Sequence, residues 1–360
     1  MLKVYKLVKS LETEATESLR AFLHQIRAIT LINVEQDVIS PQPEIDIVAH
    51  IEVSGRRHTL ICEVKSSGQP RYVRSAALQL RHSLAHYGQD TTPVLIAPYL
   101  SPEAQAICRE HEVGFLDLEG NARLQFKTVY IERTVSSTPA VARRELKSLF
   151  KPKAAQILRV MLREPQRAWR VVELAQSADV SLGQVSNVRS GLLAREWAQV
   201  ADDGLFLSAP DALLDAWRDA YDPPAGQRLS FYTALHGSSL EDAARTALDS
   251  GRDHGRAAFA SFSAAHWLVP YARTGAQYFY ADDTALKKLQ NALQLSSVSK
   301  GENVLITQIK DPGVLRDTVE PVPGAICTST VQTYLDLTAS GERGREAADH
   351  LRQEKLRWTT

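Results

Sequence analysis

Apolar positions recur along this chain with two periods, one helical and one alternating, and the changes of period mark out its elements. Residues 11–29, LETEATESLRAFLHQIRAI, place Leu11, Ala15, Leu19, Phe22 and Ile26 on one helical face. Three strand-like runs follow, at 31–39, 43–53 and 58–66, and the Ser54-Gly55 turn between the last two predicts a hairpin. Residues 70–87 return to helical spacing through Val73, Ala77, Leu80, Leu84 and Tyr87. A short apolar strand (92–100), a helix opened by Ser101 with Pro102 in its first turn, and a further strand (113–118) complete the front of the chain. This order predicts an α/β sandwich around a mixed sheet.

From Thr134 the chain turns polar and then basic, as a linker does. Pro152 opens a helix and Pro165 closes it, and Trp169-Arg170 reads as a short strand. The next stretch, VVELAQSADVSLGQVSNVRSGLLAREW, predicts two helices in close succession. Val171, Val172, Leu174 and Ala175 form the apolar face of the first. Ser181 is the expected N-cap of the second, ahead of Leu182, Val185, Val188, Leu192 and Leu193. Two helices this close must cross, which is the helix-turn-helix arrangement. WAQVADDGLFLSAP then reads as a hairpin about Asp203-Gly204. From Asp211 onward a helix, a Pro-Pro-Ala-Gly break and a mixture of strands and helices predict an α/β or α+β domain. The run FASFSAAHWLVPYA, with Trp267 and Tyr271, reads as a core helix, and Asp282-Asp283 as a cap and first-turn acid.

A chain of 360 residues holds two or three domains, here expected at 1–142, 143–210 and 211–360. Net charge is zero, so a nucleic-acid footprint has to be local. It is local: residues 143–200 carry about eleven Lys and Arg against about five acids. Cys62, Cys108 and Cys327 are far apart and suit a reducing compartment rather than a disulfide framework or zinc site. No run reaches membrane-spanning length and the first residues lack an apolar leader, so the expectation is a cytoplasmic protein that makes no use of a membrane.

The outer flank of the second helix carries Gln184, Ser186, Asn187, Arg189 and Ser190, which can donate and accept at base edges and phosphates. With Ser181 at its start, Lys151 and Lys153 ahead of it and Arg195 behind it, this flank is the expected reading head for double-stranded DNA, with no cofactor required. The alternative is an ordinary helical pair with a solvated polar face. Three helices with a hairpin resemble the winged helix-turn-helix domains of bacterial regulators.

In the front domain, Asp46 sits mid-strand, and Glu63 and Lys65 share one face of the next strand. Such carboxylates can hold a hard cation, and a lysine beside them can orient water or stabilise charge on phosphate. Pro43-Glu44-Ile45-Asp46 and Glu63-Val64-Lys65 resemble the PD-(D/E)xK nuclease superfamily, although two residues separate Pro43 from Asp46. The resemblance implies Asp46, Glu63 and Lys65 as catalytic residues, and Asp46, Glu63 and Glu17 (or Glu14) as Mg²⁺ ligands, if the site is active. Gln79 and Tyr87 resemble a further motif of some members. His50, His58, His82 and His86 match no ligand set.

Phe262-Ser263-Ala264-Ala265 with Pro270-Tyr271, and residues 331–337 (VQTYLDL) with Gly344-Arg345-Glu346-Ala347-Ala348, resemble the C-terminal domain of AbiEi-family antitoxins. That resemblance extends over roughly the last two thirds of the chain. It implies a transcriptional autorepressor of a type IV toxin–antitoxin locus, with a nucleotidyltransferase toxin as partner; for a DNA-binding regulator the usual symmetry adds a homodimer on a palindromic operator. The alternatives are a Mg²⁺-dependent endonuclease targeted by the winged helix, and an antitoxin acting only through other proteins.

Overall fold

The computed structural model describes residues 2–38, 45–126, 129–135, 138–249, 255–270 and 275–358. Two compact units divide the chain: Met1–Arg144 with Leu193–Glu196, and Glu145–Leu192 with Trp197–Thr360.

The first unit opens with α1 (Leu2–His24), followed by the antiparallel meander of β1 (Ile29–Val38), β2 (Ile45–Val53) and β3 (Arg56–Val64). Ser54 and Gly55 join β2 to β3 with φ of 52° and 75°, the double positive φ that matches the twist of paired strands. Two crossovers then build the parallel part of the sheet. They are α2 (Pro70–Ser83) leading to β4 (Thr91–Ala97), and α3 (Pro102–Glu110) leading to β5 (Gly114–Asp117). Ser101 caps α3 by accepting the Ala104 N–H at 3.3 Å, as its place before Pro102 predicts. β6 (Ala122–Phe126) and β7 (Val129–Arg133) complete a seven-stranded sheet in sequential order.

Strand alternation sorts the core into two layers. Ala15, Leu19, Phe22 and Leu23 of α1 pack on Ile47, Ala49, Leu60 and Cys62. On the opposite face Val73, Ala76 and Leu80 of α2 and Ala104 and Ile107 of α3 pack with Val48, Ile61 and Leu95. Hydrophobic patterning predicts strands only as far as residue 118 and misses β6 and β7. Each is only five residues long, and β7 keeps no residue fully buried, as an edge strand does.

α4 (Ala140–Ser148) lies in the stretch expected to be a linker and buries none of its residues. α5 (Pro152–Arg163), α6 (Val171–Ala178) and α7 (Leu182–Ala194) follow, then the hairpin of β8 (Ala198–Ala201) and β9 (Gly204–Leu207). Trp169 exchanges both backbone hydrogen bonds with Leu205, at 2.8 and 2.9 Å, as an isolated bridge where a short strand is expected. Gly204 makes that approach possible: at φ +151°, a Cβ there would stand 2.5 Å from the Trp169 carbonyl oxygen. Three helices and a hairpin thus follow one another in the order expected from the sequence.

Behind the hairpin, α8 (Pro210–Asp219) leads into β10 (Gly226–Tyr232), α9 (Gly237–Asp249), β11 (Ala257–Phe259), α10 (Ser261–Leu268), β12 (Gln277–Ala281) and α11 (Asp283–Ala292). The short strands β13 (Ser296–Ser297), β15 (Thr318–Val319) and β16 (Cys327–Thr328), the longer β14 (Val304–Ile309), and helices α12 (Thr330–Thr338) and α13 (Gly341–Lys355) complete it. The seven strands form one mixed sheet in the order β13-β10-β14-β12-β11-β16-β15. Phe231, Phe259, Phe279 and Ile306 face α9 and α11 across a shared core. Asp282 caps α11 by accepting the N–H groups of Thr284 and Ala285. Part of the expected core helix is instead β11, and Tyr271 lies outside the described residues.

Candidate nucleic-acid interface

α7 is fixed from below by Val185, Val188 and Leu192, which are buried at spacings of three and four. Its start is set by Ser181, whose Oγ accepts the Gln184 N–H at 3.3 Å. The expected outer flank is open: Ser186, Asn187 and Ser190 are exposed, and Gln184 and Arg189 are partly so. Ser190 donates its hydroxyl to the Ser186 carbonyl at 3.0 Å, so toward a partner it is left mainly as an acceptor. Lys151 and Lys153 are exposed at the start of α5, and Arg195 is half-buried just past the end of α7.

The apolar face differs from the expectation at three positions. Leu182 is 52% exposed, and Val171 and Val172 also lie at the surface; α6 is buried by the expected Leu174 and Ala175, with Ala178 added. The helical spacing holds, but Leu182 stands at the first residue of α7 and Val171–Val172 open α6. An N-terminal turn overhangs the core that the rest of its helix covers. The hairpin tip departs from a uniformly basic surface, since Asp202 and Asp203 are both exposed there.

The helical block is held against α12 and the turn at 312–315 through α5, which is buried along its length from Ala154 to Leu162. It touches α6 and β9 within the block and α12 and the turn at 312–315 beyond it. Gln156, Arg159 and Arg163 run as a polar stripe toward that second contact. Arg159 donates to the Gln332 side-chain oxygen at 3.0 Å and to the Gly313 carbonyl at 3.3 Å. Arg163 pairs with Asp317 at 2.7 Å. The neighbouring Arg316 pairs with Asp179, which caps α6 in the left-handed conformation at φ +50° within the turn between α6 and α7. Gln332 also donates to Asp336 Oδ1 at 3.0 Å, and Tyr280 does so at 2.8 Å; Tyr221 donates to the same oxygen. Burial pushes the Asp336 carboxyl up to about 6, against the pull of those donors, and lowers the Arg159 guanidinium. Hydrophobic patterning does not predict this junction, although its signal is present: three polar residues at helical spacing on a helix with no other solvated face.

In the front domain, the register Ile47↔Cys62 and Val48↔Ile61 sets Asp46 across from Glu63, on the face that α2 and α3 cover. Asp46 accepts the Val64 N–H at 2.6 Å. Glu63, 6% exposed, pairs with Lys65 at 2.5 Å. These three therefore stand together, as their places along the strands predict. Glu17 and Glu14 are exposed on α1, the helix that packs on the other face of the sheet. Pro43 and Glu44 lie outside the described residues. Among the described residues no group of three His, Cys, Asp or Glu stands close enough to hold a metal ion. Mg²⁺ demands near-octahedral oxygen coordination. Asp46, tied to a backbone N–H, and Glu63, tied to an ammonium, would supply two of those oxygens, with water and substrate phosphate left to supply the rest. Gln79 is exposed, while Tyr87 packs on the α2 layer with its hydroxyl buried and without a partner. His58 is buried against Thr92 at 2.9 Å. The three cysteines are free and buried, and burial raises all three thiols, that of Cys108 to about 12. No helix among the described residues is long and apolar enough to cross a membrane.

No curated protein matches the chain. Among solved structures, it is similar to a repair endonuclease from Pyrococcus abyssi, at 14% identity over 29% of this chain and 46% of that one, with a TM-score of 0.22. It is also similar to EndoMS in its apo form, at 16% identity over 29% of this chain and 45% of that one, with a TM-score of 0.22. A complex of EndoMS with double-stranded DNA aligns at 13% identity over 29% and 44%, again with a TM-score of 0.22. The chain thus spans less than half the length of each of these structures. The antitoxin resemblance is borne out over a shorter stretch than the last two thirds of the chain: residues 207–357, from the end of the hairpin through α13, match the family described as "Transcriptional regulator, AbiEi antitoxin, Type IV TA system".

Proposed function

We propose that this protein is a DNA-binding transcriptional regulator, an antitoxin-like autorepressor of a type IV toxin–antitoxin locus. The observation that carries the reading is the division of α7. Val185, Val188 and Leu192 are buried, while Ser186, Asn187 and Ser190 face out with Gln184 and Arg189 beside them. Seated in a major groove, Gln184, Asn187 and Arg189 reach base edges. Lys151, Lys153 and Arg195 hold the backbone, with Ser181, Ser186 and Ser190 filling in polar contacts. A homodimer on a palindromic site and a nucleotidyltransferase toxin as partner complete the proposal. The test is a mobility shift on the DNA upstream of its own gene over a salt series. Binding that weakens steeply with salt, and is competed poorly by unrelated duplex, supports the reading. Absence of a shift at low salt refutes it.

A second reading, a Mg²⁺-dependent endonuclease, draws on Asp46, Glu63 and Lys65 sharing one face. Nicking of supercoiled plasmid with Mg²⁺ that disappears in Lys65→Ala would establish it. An uncut plasmid at micromolar protein removes it.

A further inference from the structure

Two residues of the first turn of α7 contribute little to packing among the described residues. Leu182 turns 52% of its surface to solvent, as few leucines among the described residues do; Leu78, at 54%, is another. Gly183 follows it. A glycine within a helix is normally kept for a left-handed φ or for close packing. Gly183 has neither: its φ is not positive, and an added Cβ would meet only the Ser181 Oγ, at 3.9 Å. Gly191, on the same helix, shows the contrast, since a Cβ there would stand 2.5 Å from a Leu149 methyl. Packing against Leu149 requires a glycine at 191, and no packing among the described residues requires one at 183.

We infer that Leu182 reads the 5-methyl group of a thymine, and that Gly183 is small so that the duplex can approach the α7 backbone. The inference rests on the DNA-binding reading above and adds to it the base identity and the residues that impose it. The groove-entering end of a recognition helix is its N-terminal turn, where an apolar side chain distinguishes thymine from the other bases by its methyl group alone. The occupant is a nucleic-acid duplex rather than an apolar partner. Ser181, Gln184, Ser186 and Asn187 surround Leu182 in sequence with hydrogen-bonding groups, and Lys151 and Lys153 are exposed cations of the same block. None of the three other exposed positions of the turn (Ser181, Gly183 and the partly open Gln184) offers a continuing apolar surface.

The test uses the full chain and a duplex selected by it from a random library. Each thymine of the selected site is replaced in turn by deoxyuridine, which removes only the methyl. At one position the exchange is expected to weaken wild-type binding about three- to fivefold, the worth of one buried methyl. The same exchange is expected to leave Leu182→Ala unaffected. Gly183→Ala is expected to raise the melting temperature by about 1–4 °C, because alanine favours the helix, while weakening DNA binding about tenfold or more. A chain that selects no duplex overturns the DNA-binding reading and this inference with it. A chain that selects a duplex but shows the same deoxyuridine penalties in wild type and Leu182→Ala, or binds as tightly with Gly183→Ala, overturns this inference alone.

Discussion

Replacing Asp336 by asparagine changes the charge at the centre of the α5–α12 junction while keeping its shape. Oδ1 of the carboxylate accepts from Tyr221, Tyr280 and Gln332, and an asparagine oxygen can accept from all three. The other oxygen, Oδ2, is buried without a partner, so the substituted amide loses no existing bond. Burial raises the carboxyl from its ordinary 3.8 to about 6. A carboxyl raised by folding binds its proton more tightly in the native state. Its contribution to stability is full below the unfolded value and is lost as pH climbs through the folded one. A rise of that size, at about 1.4 kcal/mol for each tenfold change in proton affinity, is worth about 3 kcal/mol. The stability of the wild type minus that of Asp336→Asn is therefore expected to fall by about 3 kcal/mol between about pH 3 and pH 7.5, most of it before about pH 6. Urea unfolding followed by tryptophan emission measures this cleanly. All five tryptophans, at 169, 197, 217, 267 and 358, belong to the second unit, so the signal reports that unit alone. Parallel pH curves for the two proteins, or a difference that grows with pH, would refute the reasoning. Parallel curves would mean that Arg159 and the side-chain donors balance desolvation, and a difference growing with pH that they outweigh it.

Three further outcomes follow from single contacts. Gly344→Ala puts a Cβ 2.3 Å from the Leu337 carbonyl oxygen, where backbone must move, and is expected to destabilise the second unit by about 1–3 kcal/mol in the same urea assay. Lys151→Gln with Lys153→Gln removes two exposed cations, and should lower the slope of log binding constant against log salt by about 2, measured by fluorescence anisotropy. Asp202→Asn with Asp203→Asn removes two carboxylates from the hairpin tip and should tighten DNA binding at low salt. An unchanged affinity would place the tip away from phosphate.

The elements written most plainly in the sequence are those whose reasons are local. Ser101 before Pro102, Ser54-Gly55 between two alternating runs, and Val185, Val188 and Leu192 at helical spacing each carry their own geometry, and the structure has them as expected. The pairing of Asp46 with the Glu63–Lys65 strand is legible for the same reason, because a hairpin fixes register. What is not legible depends on partners distant in sequence. Leu182 has the right spacing for a core position, and only the extent of the neighbouring core shows that it overhangs it. Arg159 meets Gln332, 173 residues away, and nothing local announces that partner. Resemblance alone groups Glu17 with the carboxylates. The place of its helix, packed on Ile47 and Cys62, is visible only in the structure.

The central claim, that the outer flank of α7 reads duplex DNA, is tested most directly by the affinity of Arg189→Ala and Asn187→Ala for a duplex selected by the wild-type chain. The tryptophan-detected melting temperature of each variant is the control for folding. The account predicts a loss of about 1–3 kcal/mol for each residue that reads a base, with specificity relaxed at the position it reads and melting unchanged. Wild-type affinity in both variants, with melting equally unchanged, would contradict it.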